Sequence, residues 1–217
     1  MASGTVVTGD TKVVERGKGD GLYVNTTGIG RVFSGVDLAP QNVCPGDAVL
    51  LSADIGRHGI AVISVREGLA FESAIESDST PLASSVMQLM KAGIPLHCLR
   101  DPTRGGLATS LMEIASASSL DIRIVEETIA VSEPVRGACE ILGLDPLYVA
   151  NEGCFIAIVP DNAAEQALSV LRHAPGGAFA AIIGRVEEGG GRVILENGLG
   201  SSRVLDMLTG EQLPRIC

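Results

Sequence analysis

Asp101-Pro102-Thr103-Arg104-Gly105-Gly106-Leu107-Ala108-Thr109-Ser110-Leu111-Met112-Glu113-Ile114-Ala115, followed by Asp121-Ile122-Arg123-Ile124-Val125, carries the decision on the fold. Leu107, Leu111, Ile114 and Ala115 recur at helical spacing, so an amphipathic helix opens at the paired glycines and ends near Ser119. Asp121-Ile122-Arg123-Ile124-Val125 then alternates as a half-buried strand. Downstream, Glu133-Pro134 opens a helix that runs through Val135, Cys139, Ile141 and Leu142 to Gly143. Phe155-Ile156-Ala157-Ile158-Val159 is a buried strand, and Pro160-Asp161-Asn162 starts a helix through Ala167, Leu168 and Leu171. Two closing strands follow, at 181–186 and 192–195. Upstream, Ala48-Val49-Leu50-Leu51-Ser52 is a short apolar strand, and Gly59-Ile60-Ala61-Val62-Ile63-Ser64 is either a strand or a buried helix. Pro81, Leu82, Val86, Leu89 and Met90 predict a helix over 80–92, stopped by Gly93-Ile94-Pro95. Strands and helices mix without strict strand-helix-strand repetition, which defines an α+β fold: a mixed β-sheet covered by helices.

The opening of the chain has a different character. Residues 5–14 and 22–27 carry β-branched runs that read as strands with no helices between them, and such strands must pack on something else. The expected organisation is residues 1–35 as terminal strands of an otherwise missing N-terminal domain, 36–200 as the main α/β domain, and 201–217 as a tail ending in Cys217.

Composition narrows the function. A net charge of −10 and the absence of Trp argue against a nucleic-acid surface, where basic patches and stacking aromatics are needed. No apolar run reaches the roughly 18 residues of a membrane span, and the start lacks the basic and apolar blocks of a signal peptide, so a cytoplasmic protein is expected. The 5 cysteines are widely and irregularly spaced, which favours reduced thiols. Cys139 and Cys154 read as core residues, Cys44 before Pro45-Gly46 as a loop residue, and no metal site is predicted.

Several motifs carry chemistry. Asp101, Thr103, Arg104, Gly105 and Gly106 set a carboxylate, a hydroxyl, a cation and exposed N–H groups where a helix begins, which suits an anion such as phosphate. The same residues also suit an Asp-Pro turn with a capped helix. Asp10, Thr11 and Lys12, after Gly9, suit phosphate binding or proton transfer by a desolvated lysine, or a solvated turn. Asn151-Glu152-Gly153, set between Leu147-Tyr148-Val149-Ala150 and a buried strand, offers a partly desolvated carboxylate as a proton acceptor, or an ordinary turn. The thiol of Cys217 on a terminal Pro214-Arg215-Ile216-Cys217 could carry a covalent group from one pocket to another protein; a frayed end is the plainer reading.

Taken together, Gly9-Asp10-Thr11-Lys12-Val13, Asn25-Thr26-Thr27-Gly28-Ile29-Gly30, Asp101-Pro102-Thr103-Arg104-Gly105-Gly106, Asn151-Glu152-Gly153 and Pro214-Arg215-Ile216-Cys217 resemble the HypE family of hydrogenase maturation factors over essentially the whole chain. The wider group is the ATP-using superfamily of aminoimidazole ribonucleotide synthetase, selenide water dikinase and thiamine monophosphate kinase, which lack the cysteine tail. The resemblance implies the C-terminal domain fold of that superfamily, with ATP and Mg2+ bound mainly by the missing N-terminal domain. It implies a HypF carbamoyltransferase that loads a carbamoyl group onto Cys217, dehydration of that group to a thiocyanate at the expense of ATP, and delivery of cyanide to iron on a HypC-HypD scaffold for nickel-iron hydrogenase. It implies a homodimer at full length. By the same resemblance Glu152 and Lys12 handle protons, while Asp10, Thr11, Asp101, Thr103, Arg104, Gly105, Gly106 and Asn151 hold ATP, phosphate or the tail. Two other readings stay open: a small-molecule phosphotransferase or synthetase of the superfamily, for which Cys217 is dispensable, and a non-catalytic module that docks maturation partners.

Overall fold

The computed structural model describes residues 5–19, 21–69 and 74–207. The chain divides into two compact units, Met1–Val36 and Asp37–Cys217.

In the second unit β1 (Ala48–Leu51), β2 (Cys98–Arg100), β3 (Asp121–Val125), β4 (Ile156–Val159), β5 (Ala181–Glu187), β6 (Val193–Glu196) and β7 (Ser202–Leu205) form one 7-stranded sheet in the order β2-β4-β1-β5-β3-β6-β7. The β3–β6 pair is parallel and the other neighbours are antiparallel. The helices are α1 (Arg57–Glu67), α2 (Ala83–Lys91), α3 (Gly106–Ser118), α4 (Glu133–Leu142) and α5 (Asp161–His173). The expected α+β class, a mixed sheet covered by helices, is borne out.

β1 shows why its sequence is apolar without alternation. Val49 and Leu51 join a core with Leu107, Leu111 and Ile114 of α3, whereas Ala48 and Leu50 join a second core with Leu89 of α2 and Ala164, Leu168 and Leu171 of α5. Alternate residues of one strand thus feed opposite faces, and helices cover both. A third cluster joins Ile60 and Ile63 of α1 to Val135, Ala138 and Cys139 of α4 and to Val149. The ambiguous run at 59–64 is therefore helix. It packs so closely that the Gly59 N–H donates to the Ala150 carbonyl at 3.0 Å.

One strand has no counterpart in the sequence reading, and two expectations differ from the structure. β2 was not foreseen, because three residues at a sheet edge give no periodicity to read. Residues 202–205, expected in the tail, pair with β6 as the opposite edge strand, where Ser202 and Arg203 face solvent and Leu205 is buried. Residues 5–14 and 22–27, expected as strands, form no ladder among the described residues of the Met1–Val36 unit. Their β-branched content meets the strand propensity, but a strand exists only as one half of a hydrogen-bonded pair.

Candidate active site

The register of the sheet decides where its loops meet. Leu51 at the end of β1 pairs with Ile156 at the start of β4, and Arg100 at the end of β2 also pairs with Ile156. The loops that leave β1 and β2 and the loop that enters β4 therefore emerge at one end of the sheet.

Asn151 joins them. It is 1% exposed; its Oδ1 accepts the Gly56 N–H at 2.7 Å, and its Nδ2 donates to the Pro102 carbonyl at 2.9 Å and the Val149 carbonyl at 3.0 Å. A buried carboxamide satisfied on both sides fixes the start of α1, the Asp-Pro turn and the approach to β4 in one geometry. Its polar atoms are engaged inside the fold, so Asn151 positions the site and its amide is not turned toward a ligand.

Asp78 holds the next two residues. Its carboxylate accepts the Glu152 N–H at 3.2 Å and the Gly153 N–H at 2.9 Å. A Cβ on Gly153 would lie 1.8 Å from the Asp78 carbonyl oxygen, so only glycine fits beneath that contact. The Glu152 backbone is thereby pinned from behind, and its side chain sits half-buried beside the junction.

The N-terminus of α3 closes the site. Its N-cap is Gly105 at φ 70, with no side-chain cap and no acidic residue in the first turn. Gly106, at φ 62, lies where a Cβ would meet the Leu147 and Val149 carbonyl oxygens at 2.6 Å, which seats the helix start against the 3-10 turn Pro146–Tyr148. The Gly106 N–H donates to the Thr103 carbonyl at 3.1 Å, and with no side-chain cap the next turn leaves the positive end of the helix dipole at this point. Arg104 and Asp101 are exposed beside it, with Thr103 half-buried, and the Asp101 carboxylate is 4.0 Å from the Arg100 guanidinium. The motif is therefore a backbone turn closed by Thr103 and Gly106, with no side chain capping the helix that follows.

Behind this positive rim the fold is acidic. Asp54, almost fully buried, accepts two bonds from the Arg57 guanidinium at 2.8 and 3.0 Å. The Cys154 thiol is pushed up, first by burial and then by the charges of Asp78 and Asp54, so it stays protonated and inert. His58 Nδ1 lies 2.9 Å from the Ser77 hydroxyl. Among the described residues no three carboxylate, histidine or cysteine side chains converge at this end of the sheet to hold a metal ion.

The fold thus brings together Asp101, Thr103, Arg104, Gly105, Gly106, Asn151 and Glu152. Asp10, Thr11 and Lys12 lie in the Met1–Val36 unit, where the Thr11 N–H donates to the Asp10 carboxylate at 2.9 Å. Cys217 lies outside the described residues. Sequence reasoning missed Asp54, Arg57 and Asp78. The spacing of Asp54 and Arg57 across Ile55-Gly56, just after a strand, was a usable signal; Asp78, 74 residues from Glu152, gave none.

A mixed sheet with covered faces and loops gathered at an uncapped, glycine-started helix defines a domain of the aminoimidazole ribonucleotide synthase type. Residues 44–196 match the family of AIR synthase related proteins, C-terminal domain, and the chain belongs to that family. More particularly, it is 54% identical over 213 residues to carbamoyl dehydratase HypE of Azotobacter vinelandii, across 98% of this chain and 62% of that protein. A crystal structure of hydrogenase maturation protein HypE in complex with ATP superposes with a TM-score of 0.78 at 47% identity, over 83% of this chain and 55% of that one. A HypE-HypF complex gives a TM-score of 0.78 at 41% identity, over 82% of this chain and 58% of that one. The resemblance read from the motifs is borne out, and the chain spans about 62% of the length of the curated relative.

Proposed function

We propose that this chain serves hydrogenase maturation as part of an ATP-dependent carbamoyl dehydratase that works on a group carried by the Cys217 thiol. The observation that supports the reading is the Asn151 junction, which ties the Asp-Pro turn ahead of α3, through the Pro102 carbonyl, to the Glu152-Gly153 turn held by Asp78. Relatives named for this activity, and similar structures described as complexes with ATP and with HypF, support it.

In the reaction, the carbamoyl oxygen attacks the γ-phosphorus of ATP and ADP leaves. The C–O bond then breaks with phosphate as leaving group, both N–H protons depart, and a thiocyanate remains on sulfur. An amide oxygen is a poor nucleophile, so the first step rests on positioning and on neutralising phosphate charge. The α3 N–H groups and Arg104, with Asp101 and Thr103 beside them, hold phosphate or the tail. Glu152 accepts a proton from the nitrogen, and Lys12 relays it or offsets developing charge. By the resemblance, Asp10 and Thr11 belong with ATP or phosphate binding. With no clustered ligand set for Mg2+ at the junction among the described residues, Mg2+ belongs with ATP and no step is assigned to it here. HypF is the carbamoyl donor, HypC-HypD the acceptor, the active form a homodimer, and the setting cytoplasmic.

Intact mass tests the proposal. This chain and, in parallel, a full-length HypE relative are incubated with HypF, carbamoyl phosphate and ATP. A carbamoyl-sized gain on Cys217 that converts, only with ATP, to a species lighter by one water supports the reading. Neither Cys217 loading nor water loss in the chain, while the relative shows both, would overturn it and favour docking; ATP turnover on a soluble substrate after Cys217→Ala would favour a phosphotransferase.

A further inference from the structure

The opposite end of the same sheet carries a cluster that this chemistry does not use. β1 begins at Ala48, paired with Val159 at the end of β4, and β2 begins at Cys98, paired with Ile158. The loops that enter β1 and β2 therefore meet there, separated from the Asn151 end of the sheet by the length of β1, about 10 Å of strand. Cys44 and Asp47 stand in the first loop and His97 in the second.

Both loops are anchored. Cys44-Pro45-Gly46-Asp47 is a turn closed by the Asp47 N–H donating to the Cys44 carbonyl at 3.1 Å, with Pro45 and Gly46, the latter at φ 91, at its corners. The Gly46 N–H donates to the Val186 carbonyl at 2.8 Å, and the Val186 N–H to the Asp47 carbonyl at 2.9 Å. On the other side the His97 N–H donates to the Ile158 carbonyl at 2.9 Å, and its carbonyl accepts the Ala39 N–H at 3.1 Å. The Asp47 carboxylate is buried between them: its Oδ2 accepts the Cys44 N–H at 2.8 Å and lies 2.7 Å from His97 Nδ1. One donor atom each from Cys44, Asp47 and His97 lies within 4.8 Å of the others.

An Asp–His hydrogen bond alone would serve to tie two loops together. The thiol is the extra observation, since Cys44 is exposed and its sulfur makes only a long 3.6 Å contact to the Asn42 carbonyl. We propose that Cys44, Asp47 and His97 form a binding site for a borderline divalent transition-metal ion, represented by Zn2+, with one coordination position open to solvent. Thiolate, imidazole and carboxylate together select Zn2+, Co2+ or Ni2+ over Mg2+ and Ca2+, which take oxygen ligands. A tetrahedral ion with donors at about 2.0–2.3 Å holds them about 3.3–3.8 Å apart, so Asp47 Oδ2 and His97 Nδ1, now 2.7 Å apart, must part by about 0.6–1 Å as the ion replaces their hydrogen bond and the imidazole proton moves to Nε2, while the exposed Cys44 side chain turns in to complete the set. Binding exchanges the thiol proton for the metal, with the proton released to solvent. This reading stands independently of the dehydratase, because no residue is shared.

Co2+ titration of the full chain in a Cys217→Ser background tests it. The expected result is one equivalent bound with thiolate-to-cobalt charge-transfer absorption, displaced by Zn2+. Cys44→Ser removes that absorption and His97→Gln weakens binding at least tenfold. A chain that shows no charge-transfer band, or one that keeps it after Cys44→Ser, overturns the proposal. A second measurement needs no variant at Cys44: Zn2+ slows alkylation of Cys44, read by peptide mass, and an unchanged rate at saturating Zn2+ also overturns it.

Discussion

Gly56 and Asn151, 95 residues apart in sequence, are joined by a 2.7 Å hydrogen bond from the Gly56 N–H to the Asn151 Oδ1. Through it, the start of α1 and the turn before β4 behave as one piece, and the other half of the same amide holds the Pro102 and Val149 carbonyls. Asn151→Ala leaves a buried N–H and two carbonyls without this partner, each loss costing about 1–3 kcal/mol before relaxation. The expected destabilisation is about 3 kcal/mol, read as a lower urea midpoint at unchanged slope. Asn151→Asp keeps the acceptor and loses both donors, so it too is destabilised; a wild-type midpoint for Asp would show that the Nδ2 bonds contribute nothing.

Gly153 is the second sensitive position. Gly153→Ala places a methyl 1.8 Å from the Asp78 carbonyl oxygen, a contact that only backbone movement relieves. Overpacking of this kind costs about 1–3 kcal/mol, and the movement drags Asp78 off the Glu152 and Gly153 N–H groups. Thermal melts of the purified variant check it, with a fall of several degrees expected and no change counting against the tight fit.

How far the sequence reveals this arrangement depends on the range of the interaction. α3, α4, α5, β1, β3 and β4 are legible because each repeats its apolar residues within a few positions and buries them on one face or two. β2 and β7 are edge strands of few residues, and their neighbours, not their own sequence, make them strands. In the site, Asp101–Gly106 and Asn151–Gly153 are legible as local groupings of polar residues and glycine. Asp78 is not, because its function is to bind the backbone of residues 74 and 75 positions away. The Cys44, Asp47 and His97 cluster is half legible: the turn pairs Cys44 with Asp47 locally, but His97 arrives only when β2 adds to the sheet beside β4.

Acid stability depends on a third group. Asp121 accepts the Gly190 and Arg192 N–H groups at 2.9 Å and the Arg192 guanidinium at 2.6 Å, which holds its carboxyl well below the usual carboxylate range. A depressed folded-state pKa means the unfolded chain takes up the proton first. The stabilisation is therefore complete above the ordinary carboxylate range and is lost as pH falls through and below it. Stability measured between about pH 5 and pH 2 should fall less steeply in Asp121→Asn than in the unmodified chain; parallel slopes would exclude the pair as a source of acid sensitivity.

The cysteines differ in reactivity. Burial, aided by Asp145, pushes the Cys139 thiol up to about 11, and burial also raises Cys98 and Cys154. The thiolate is the reactive form, so at pH 8 iodoacetamide should reach exposed Cys44 first among the described cysteines. Peptide mass mapping at short times reads the order directly. Early labelling of Cys139 would mean that the α1–α4 layer opens readily.

Glu152→Gln separates chemistry from structure. The exchange keeps the size of the side chain and leaves the main-chain N–H that bonds Asp78 in place, so the variant should fold, which a thermal melt checks alongside the rate. If Glu152 removes a proton from the carbamoyl nitrogen, the amide cannot, and general-base losses of about 10²–10⁴ in rate are expected. In the mass assay the Cys217 adduct should then form at its usual rate and persist with ATP present, whereas a variant failing only in phosphate binding, such as Arg104→Ala, should recover as ATP is raised. Lys12→Met should resemble Glu152→Gln if the lysine relays the same proton, and Arg104→Ala if it serves only to offset phosphate charge. A Glu152→Gln protein that dehydrates its adduct at the wild-type rate would remove the carboxylate from the mechanism.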